Sequence, residues 1–396
     1  MNLRKFIIIL LGIVTLVVTT GLSLNHLGIS LNAYNKIDKL DKRNKASKKR
    51  SAVSEAPIVF LSEDNHMRSV SIQKDDEEQA ILIEEFLDHE KSRSIDINTE
   101  SGYQFNTPIN TNVSVQESVY TAADSIVVIS DLDGNFDAFA SLLFGNGITD
   151  EAFNWTYGNN QLVILGDVFD RGDEVFECLW LIYKLEKEAL QAGGSLHFIL
   201  GNHEIMNLTG NFNNKSLKYV HRKYYRNEEF VNIPYTQWIS SSTVIGQWLR
   251  TKNCMEQIGN MLFLHGGISY ELLKTGLNMA EINQLNRELI DLNPDQYAKS
   301  HKLIIGRDGP LWNRDMALAK LNDDEINEIL DHFEVKRIVI GHTINERNEI
   351  TPLYDGKIIP VDLDHKTNFK RGIISTLFIK NGLLFEINNK GELKKL

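Results

Sequence analysis

Five times along the chain a short apolar run stops abruptly in a polar cluster. Ile126–Ile129 ends in Asp131-Leu132-Asp133-Gly134-Asn135, Gln161–Leu165 in Gly166-Asp167-Val168-Phe169-Asp170-Arg171-Gly172, and Leu196–Leu200 in Gly201-Asn202-His203-Glu204. Met261–Leu264 then ends in His265-Gly266-Gly267, and Arg337–Ile340 in Gly341-His342-Thr343. Short apolar runs bounded by glycine-bearing turns read as buried strands. Between the first three, the spacing of apolar residues over about Phe136–Phe144 and Glu174–Ala192 predicts helices. Alternation of strand and helix implies parallel strands, and in such sheets ligand sites lie beyond the carboxyl ends of the strands. The polar clusters are therefore expected to meet on one edge.

Outside these runs the pattern is looser. Residues 1–24 place Arg4 and Lys5 before an apolar run from Phe6 to Leu24, the form of an export signal or an uncleaved membrane anchor. This implies a membrane-attached or otherwise extracytoplasmic protein. Residues 25–57 read as a basic linker, and 58–120 as an extension in which Asp75–Glu90 forms one amphipathic helix. Residues 94–120 show no clear periodicity. The main domain then runs over 121–396, with an insert at 205–260 whose His221-Arg222-Lys223-Tyr224-Tyr225-Arg226 offers cations and aromatic faces to a phosphopeptide, or alternatively forms an amphipathic helix with a solvated face. Late strands at about Ile358–Leu363, Ile373–Ile379 and Leu383–Ile387, the last two joined by an Asn381-Gly382 turn, are expected to complete a second sheet.

Charge and cysteine content narrow the function. The net charge is -11, yet residues 1–50 hold ten Lys or Arg against two acids, so that segment is +8 and the remainder is -19. An acidic body excludes nucleic acid as the principal partner. Cys178 and Cys254 are too few and too far apart for a disulfide framework or a zinc finger, and read as buried thiols.

Taken singly, an Asp after a strand caps the following helix and a lone His is a core residue. Five strand-end clusters rich in Asp, Asn and His instead describe a metal site. Their series, Asp-x-x-Gly, Gly-Asp-x-x-Asp-Arg-Gly, Gly-Asn-His-Glu, His-Gly-Gly and Gly-His, resembles the calcineurin-like metallophosphoesterases of the phosphoprotein phosphatase group. Gly201–Leu208, Ile245–Arg250 and Gly309-Pro310-Leu311-Trp312-Asn313-Arg314 look more specifically like the bacterial Shewanella-like protein phosphatases. The resemblance covers residues 125 to about 390. It implies an α/β sandwich, two mixed β-sheets flanked by α-helices, and hydrolysis of phosphate monoesters, on a phosphorylated protein or a small phosphomonoester, by a hydroxide bridging two divalent metals.

Carried over residue by residue, the resemblance makes Asp131, Asp133 and Asp167 ligands of a first metal. Asp167 bridges to a second, completed by Asn202, His265 and His342. His203 becomes the general acid with Asp170 orienting its ring, and Arg171 and Arg314 clamp the phosphoryl oxygens. One position departs: the family places His where this chain has Asp133. Three carboxylates shift ligand preference from zinc or iron towards manganese or magnesium. The same departure motivates a rival, a non-catalytic phosphoprotein-binding protein tethered to the membrane. A phosphodiesterase or nucleotidase on the same scaffold is disfavoured by Arg314, which suits a terminal phosphate. Asp362, Asp364 and His365 lie beyond the implied ligand set and read as structural.

Overall fold

Residues 67–87 build a hairpin where the apolar spacing of Asp75–Glu90 predicts an amphipathic helix. The computed structural model describes residues 52–62, 66–87, 94–210, 222–372 and 374–396; the expected signal or anchor at 1–24 and most of the basic linker lie outside them. Strands β1 (Glu55–Leu61), β2 (Met67–Lys74) and β3 (Ala80–Leu87) form an antiparallel sheet in that order. The β2–β3 turn is tied by the Asp75 carboxylate, which accepts the N–H groups of Glu77 and Gln79 at 2.9 Å. A helix here needs a buried face. Phe86 is instead 77% exposed, and the β-branched Ile81 and Ile83 sit comfortably in a ladder with β2. Because β1 starts at Glu55, the linker ends earlier than residue 57.

The stretch from 94 to 108, which reads as aperiodic, is a second hairpin, β4 (Ser94–Asn98) with β5 (Gln104–Pro108). Its alternation is real but short: Ile95, Ile97, Phe105 and Thr107 point inward.

The central apolar runs pair as expected. After β6 (Val119–Tyr120), the strands β7 (Ser125–Ile129), β8 (Gln161–Ile164) and β9 (Ser195–Phe198) run parallel. They are joined by helices α1 (Phe136–Gly145) and α2 (Val175–Gln191). A second sheet contains β10 (Met255–Ile258), β11 (Met261–Leu264), β12 (Arg337–Ile340) and β13 (Ile358–Pro360). The remaining late strands, β14 (Ser375–Lys380), β15 (Leu383–Asn388) and β16 (Leu393–Lys395), do not join that second sheet as expected. They extend the first, with β14 antiparallel to β7 at Leu377↔Val128. Both sheets are thus mixed, in the orders β16-β15-β14-β7-β8-β9 and β13-β12-β11-β10-β6. A strand's own residues do not name its partner, so this placement was settled by packing.

Period-two alternation divides the core. Ile126, Val128 and Val163 face Phe263, Val339 and Ile359 between the sheets. Val127, Ile129, Leu162 and Ile164 face the helices and the N-terminal strands. Those strands are seated on α2: the Trp180 indole donates to the Pro57 carbonyl at 2.8 Å, and the Ala56 N–H donates to Glu177 at 3.2 Å. The described residues of 52–120 therefore pack with those of 121–396 in one unit, Ala52–Leu396. Both cysteines are free and buried.

Rings from both parts meet around Phe153, with Tyr103, Phe105, Phe136 and Phe144 at centroid distances from 4.8 to 5.6 Å. Phe153→Ala should lower unfolding free energy by about 3–5 kcal/mol, read from urea denaturation; a change below about 1 kcal/mol would mean that the N-terminal strands are held elsewhere.

Candidate active site

The loops that follow β7 and β8 are zipped to one another by their backbones. Asp131 N–H donates to Gly166 O at 3.1 Å, Asp133 N–H to Asp167 O at 2.9 Å, and Gly134 N–H to Val168 O at 2.8 Å. Glu204, fully buried, ties them to the loop after β9. Its carboxylate accepts the N–H groups of Asp167, Val168, Phe169 and Gly201, at 2.8, 2.8, 3.3 and 2.7 Å. Burial and the neighbouring Asp167 charge push its pKa up, while His265 and these amides oppose the rise.

The tight turns put Asp131, Asp133, Asp167, Asp170, Arg171 and His342 in left-handed backbone, with φ from 51 to 72°. Such conformations cost about 1–2 kcal/mol each for non-glycine residues and concentrate at functional sites. Approach is so close at Gly341 that an added Cβ would fall 1.9 Å from the Ser130 hydroxyl and 2.8 Å from Asp131 Oδ2.

At the strand ends, Asp167 is the hub. Its Oδ2 lies 3.2 Å from His265 Nε2, and Asn202 Oδ1 is 3.0 Å from the same nitrogen. His265 Nδ1 donates to Leu165 O at 2.6 Å, which aims Nε2 into the site. One atom each from Asp167, His265 and His342 lies within 4.8 Å of the others. Asp131 Oδ2 accepts the His342 N–H at 3.0 Å and the Ser130 hydroxyl.

A cation fits this donor set. Asp131, Asp133 and Asp167 are all buried, an arrangement of like charges that needs compensation. His342 Nε2 and Asp133 Oδ1 are buried with no hydrogen-bond partner among the described residues. Burial, reinforced by His265, pulls His342 down to about 2, so its ring is neutral. Burial raises Asp131 and lifts Asp133 to about 8, against the pull of Arg171. Asp167 is held well below the usual carboxylate range because His265 and His203 outweigh its burial.

Beside the hub, His203 Nδ1 lies 2.5 Å from Asp170 Oδ2, and its Nε2 is 3.8 Å from Asp167 Oδ2. The His203 ring is lifted to about 9: burial lowers it, and Asp167 with the bonded Asp170 more than reverses that. Asn207 supports the pair, donating to Asp170 Oδ2 at 3.1 Å and to His203 O at 2.8 Å. Tyr235 in turn donates its hydroxyl to Asn207 Oδ1 at 2.9 Å. The insert contributes this last residue and stacks Tyr224 on it at 4.4 Å. Lys223 and Tyr224 are wholly buried on the helix Arg222–Val231, so these two residues brace the site and are not offered to a ligand. His221 lies outside the described residues.

The two arginines differ. Arg314 Nη1 donates to His342 O at 2.7 Å and to Thr343 Oγ1 at 3.2 Å. Arg171 Nη1 is 2.6 Å from Asp133 Oδ2. The departing residue Asp133 thus gives one oxygen to a guanidinium and has only Oδ1 left for a metal. Asp362 is buried, and its pKa is raised well above normal by burial and then by Asp131 and Asp133. Asp364 caps the helix His365–Lys370, the structural role expected of it. Glu204, Asn207 and Tyr235 had no assigned role in the sequence; the only signal was Glu204 three residues after a glycine, the spacing of a helix cap.

The fold and site together define a metallophosphoesterase. The sequence model for calcineurin-like phosphoesterases matches residues 125–346, and the chain belongs to that family. Shewanella-like protein phosphatase 1 of Plasmodium berghei is 31% identical over 237 residues, 57% of this chain and 62% of that relative, so the match spans less than two thirds of the relative's length. Shewanella-like protein phosphatase 2 of Arabidopsis thaliana is 24% identical, over 67% of this chain and 78% of its own. Among solved structures, the cold-active protein-tyrosine phosphatase of a psychrophilic Shewanella species superposes with a TM-score of 0.77 at 29% identity, covering 87% of this chain and all of that one. The two mixed sheets flanked by helices are those of this fold family.

Two outcomes follow from these contacts. Glu204→Gln places an amide donor against backbone donors and should lower stability by about 2 kcal/mol or more, measured by urea unfolding; an unchanged midpoint would show that the loops do not depend on it. The raised His203 pKa stabilises the metal-stripped protein fully below its ordinary 6.5, and that contribution is lost as pH rises through about 9. The stability difference between wild type and His203→Gln should therefore shrink over that window, and a difference that stays constant would rule out the ionised pair.

Proposed function

We propose that the protein is a metal-dependent phosphomonoester hydrolase acting on phosphoproteins. The observation that carries this reading is a buried, partly unpartnered donor set, Asp167, Asn202, His265 and His342, with the His203–Asp170 pair beside it, 3.8 Å from Asp167. Asp131, Asp133 and Asp167 would hold one divalent cation, and Asp167, Asn202, His265 and His342 a second. Bound there, the cations supply Lewis-acid charge and acidify a water molecule.

The chain's own residues do the rest. His203, protonated at neutral pH, presents Nε2 to the leaving oxygen, and Asp170 keeps its other nitrogen engaged. Arg314, anchored on the His342 carbonyl, binds phosphoryl oxygens; Arg171 joins it when it leaves Asp133. An all-oxygen first site favours manganese or magnesium over zinc or iron. Phosphoproteins are favoured as substrates because two relatives are called protein phosphatases and a solved neighbour a protein-tyrosine phosphatase. We further propose that residues 1–24 export or anchor the protein, a reading supported by Arg4, Lys5 and the run to Leu24. Among the described residues no helix is long and apolar enough to cross a membrane.

A second reading, a phosphoprotein-binding protein without catalysis, is favoured by one observation, the engagement of Asp133 with Arg171. Both are tested by stripping metal, titrating Mn2+, Mg2+ and Zn2+, and following hydrolysis of an aryl phosphate. Manganese should restore turnover, and His203→Ala should lower kcat by about 10²–10⁴-fold with little change in metal content. Turnover that appears only in Asp133→His would establish the non-catalytic reading. Turnover indifferent to His203→Ala would remove the general-acid assignment.

A further inference from the structure

A cleft of about 310 Å³ adjoins the site on the Arg314 side. One wall carries Ala317 and Leu318; the other carries Thr343, Ile344 and Arg347, with Leu353 among its lining. Both walls begin at residues of the site. Arg314 starts the turn that reaches Leu318, whose N–H donates to the Arg314 carbonyl at 2.9 Å. His342 immediately precedes Thr343, and the Arg314 guanidinium bridges the walls by binding His342 O and Thr343 Oγ1. A phosphoryl group held by Arg314 therefore has this cleft as its neighbour.

The lining is unusual for a solvated surface. Leu318 is 51% exposed and Ile344 is 45% exposed, so large aliphatic groups from distant parts of the chain face water in one concavity. Scattered exposed aliphatics need no explanation, but paired ones in a cleft beside a reactive site mark a place where apolar surface is covered on binding. A free phosphate or a small aryl phosphate does not reach beyond the phosphoryl site to cover them. A peptide does, because its backbone continues past the phosphorylated residue and its next side chains lie within a few ångströms. On the cleft wall Arg347 is balanced by Glu346, so the positive charge that a phosphopeptide meets comes from Arg314 at the adjoining site.

We infer that this cleft is a specificity subsite for phosphopeptides, taking an apolar side chain adjacent to the phosphorylated residue between Leu318 and Ile344. The inference rests on the phosphatase reading above and extends it from the reacting group to the flanking sequence. Burial of one aliphatic side chain is large enough to separate good from poor substrates by about tenfold or more.

The test compares the manganese-loaded full chain with Leu318→Ser, Ile344→Ser and the double variant. The substrates are an aryl phosphate and a pair of phosphotyrosine peptides that differ only in carrying Leu or Ser on both sides of the phosphotyrosine. Wild type should favour the Leu peptide by about tenfold in kcat/KM, and the double variant should lose that preference, mainly through KM. Aryl phosphate turnover should stay the same in every variant, since neither side chain belongs to the reacting centre. No aryl phosphate turnover in wild type would overturn the enzymatic reading itself. Normal aryl phosphate turnover with equal use of the Leu and Ser peptides, or a preference that survives the double variant, would overturn the subsite alone. A wild-type dimer in sedimentation that Ile344→Ser dissolves, with peptide KM unchanged, would assign the patch to a second copy of the chain and overturn it as well.

Discussion

The site depends on one buried carboxylate that is not proposed to touch metal or substrate. Glu204 accepts backbone N–H groups from the loops after β8 and β9, and the loop after β8 is in turn hydrogen-bonded to the loop after β7. A single side chain thus fixes the spacing of three strand ends. This rigidity lets Asp131, Asp133, Asp167, Asp170 and Arg171 remain in left-handed backbone, because each unfavourable dihedral is over-determined by neighbouring bonds. The carboxylates and imidazoles emerge from those turns already aimed inward.

Around this frame the polar groups divide by what surrounds them. Asp167 is surrounded by His265 and His203 and stays ionised, whereas Asp133, equally buried, is raised despite Arg171. The His203–Asp170 pair is insulated from solvent and backed by Asn207 and Tyr235, so its orientation is held by a chain of hydrogen bonds that starts in the insert. The insert and the N-terminal strands therefore serve the same purpose as the core sheets. They brace a polar site that would otherwise be costly to bury.

Asp133 is the position at which the motif series departs from the pattern it resembles. By taking Arg171 as a partner it joins two functions that the resemblance assigned separately, metal holding and phosphate clamping. One change of residue type, carboxylate for imidazole, is enough to do this, because a carboxyl group offers a guanidinium two acceptor oxygens where a neutral imidazole offers one nitrogen.

The sequence by itself determined the strands that carry the chemistry, their parallel order and the common edge on which the clusters meet. Those features depend on local periodicity and on residue chemistry, both of which survive without the rest of the molecule. Tertiary structure decided the remainder. The 80–87 segment became a strand because β2 was available to pair with it and little covered its apolar residues. β14 to β16 extended the first sheet because β7 had a free edge. The insert's Lys223 and Tyr224 turned inward because α2 and Tyr235 enclosed them. The bonds of Glu204 to the loop after β8, and of Asp133 to Arg171, join residues more than thirty positions apart. No local pattern specifies such contacts, since they exist only once the strand ends have been brought together.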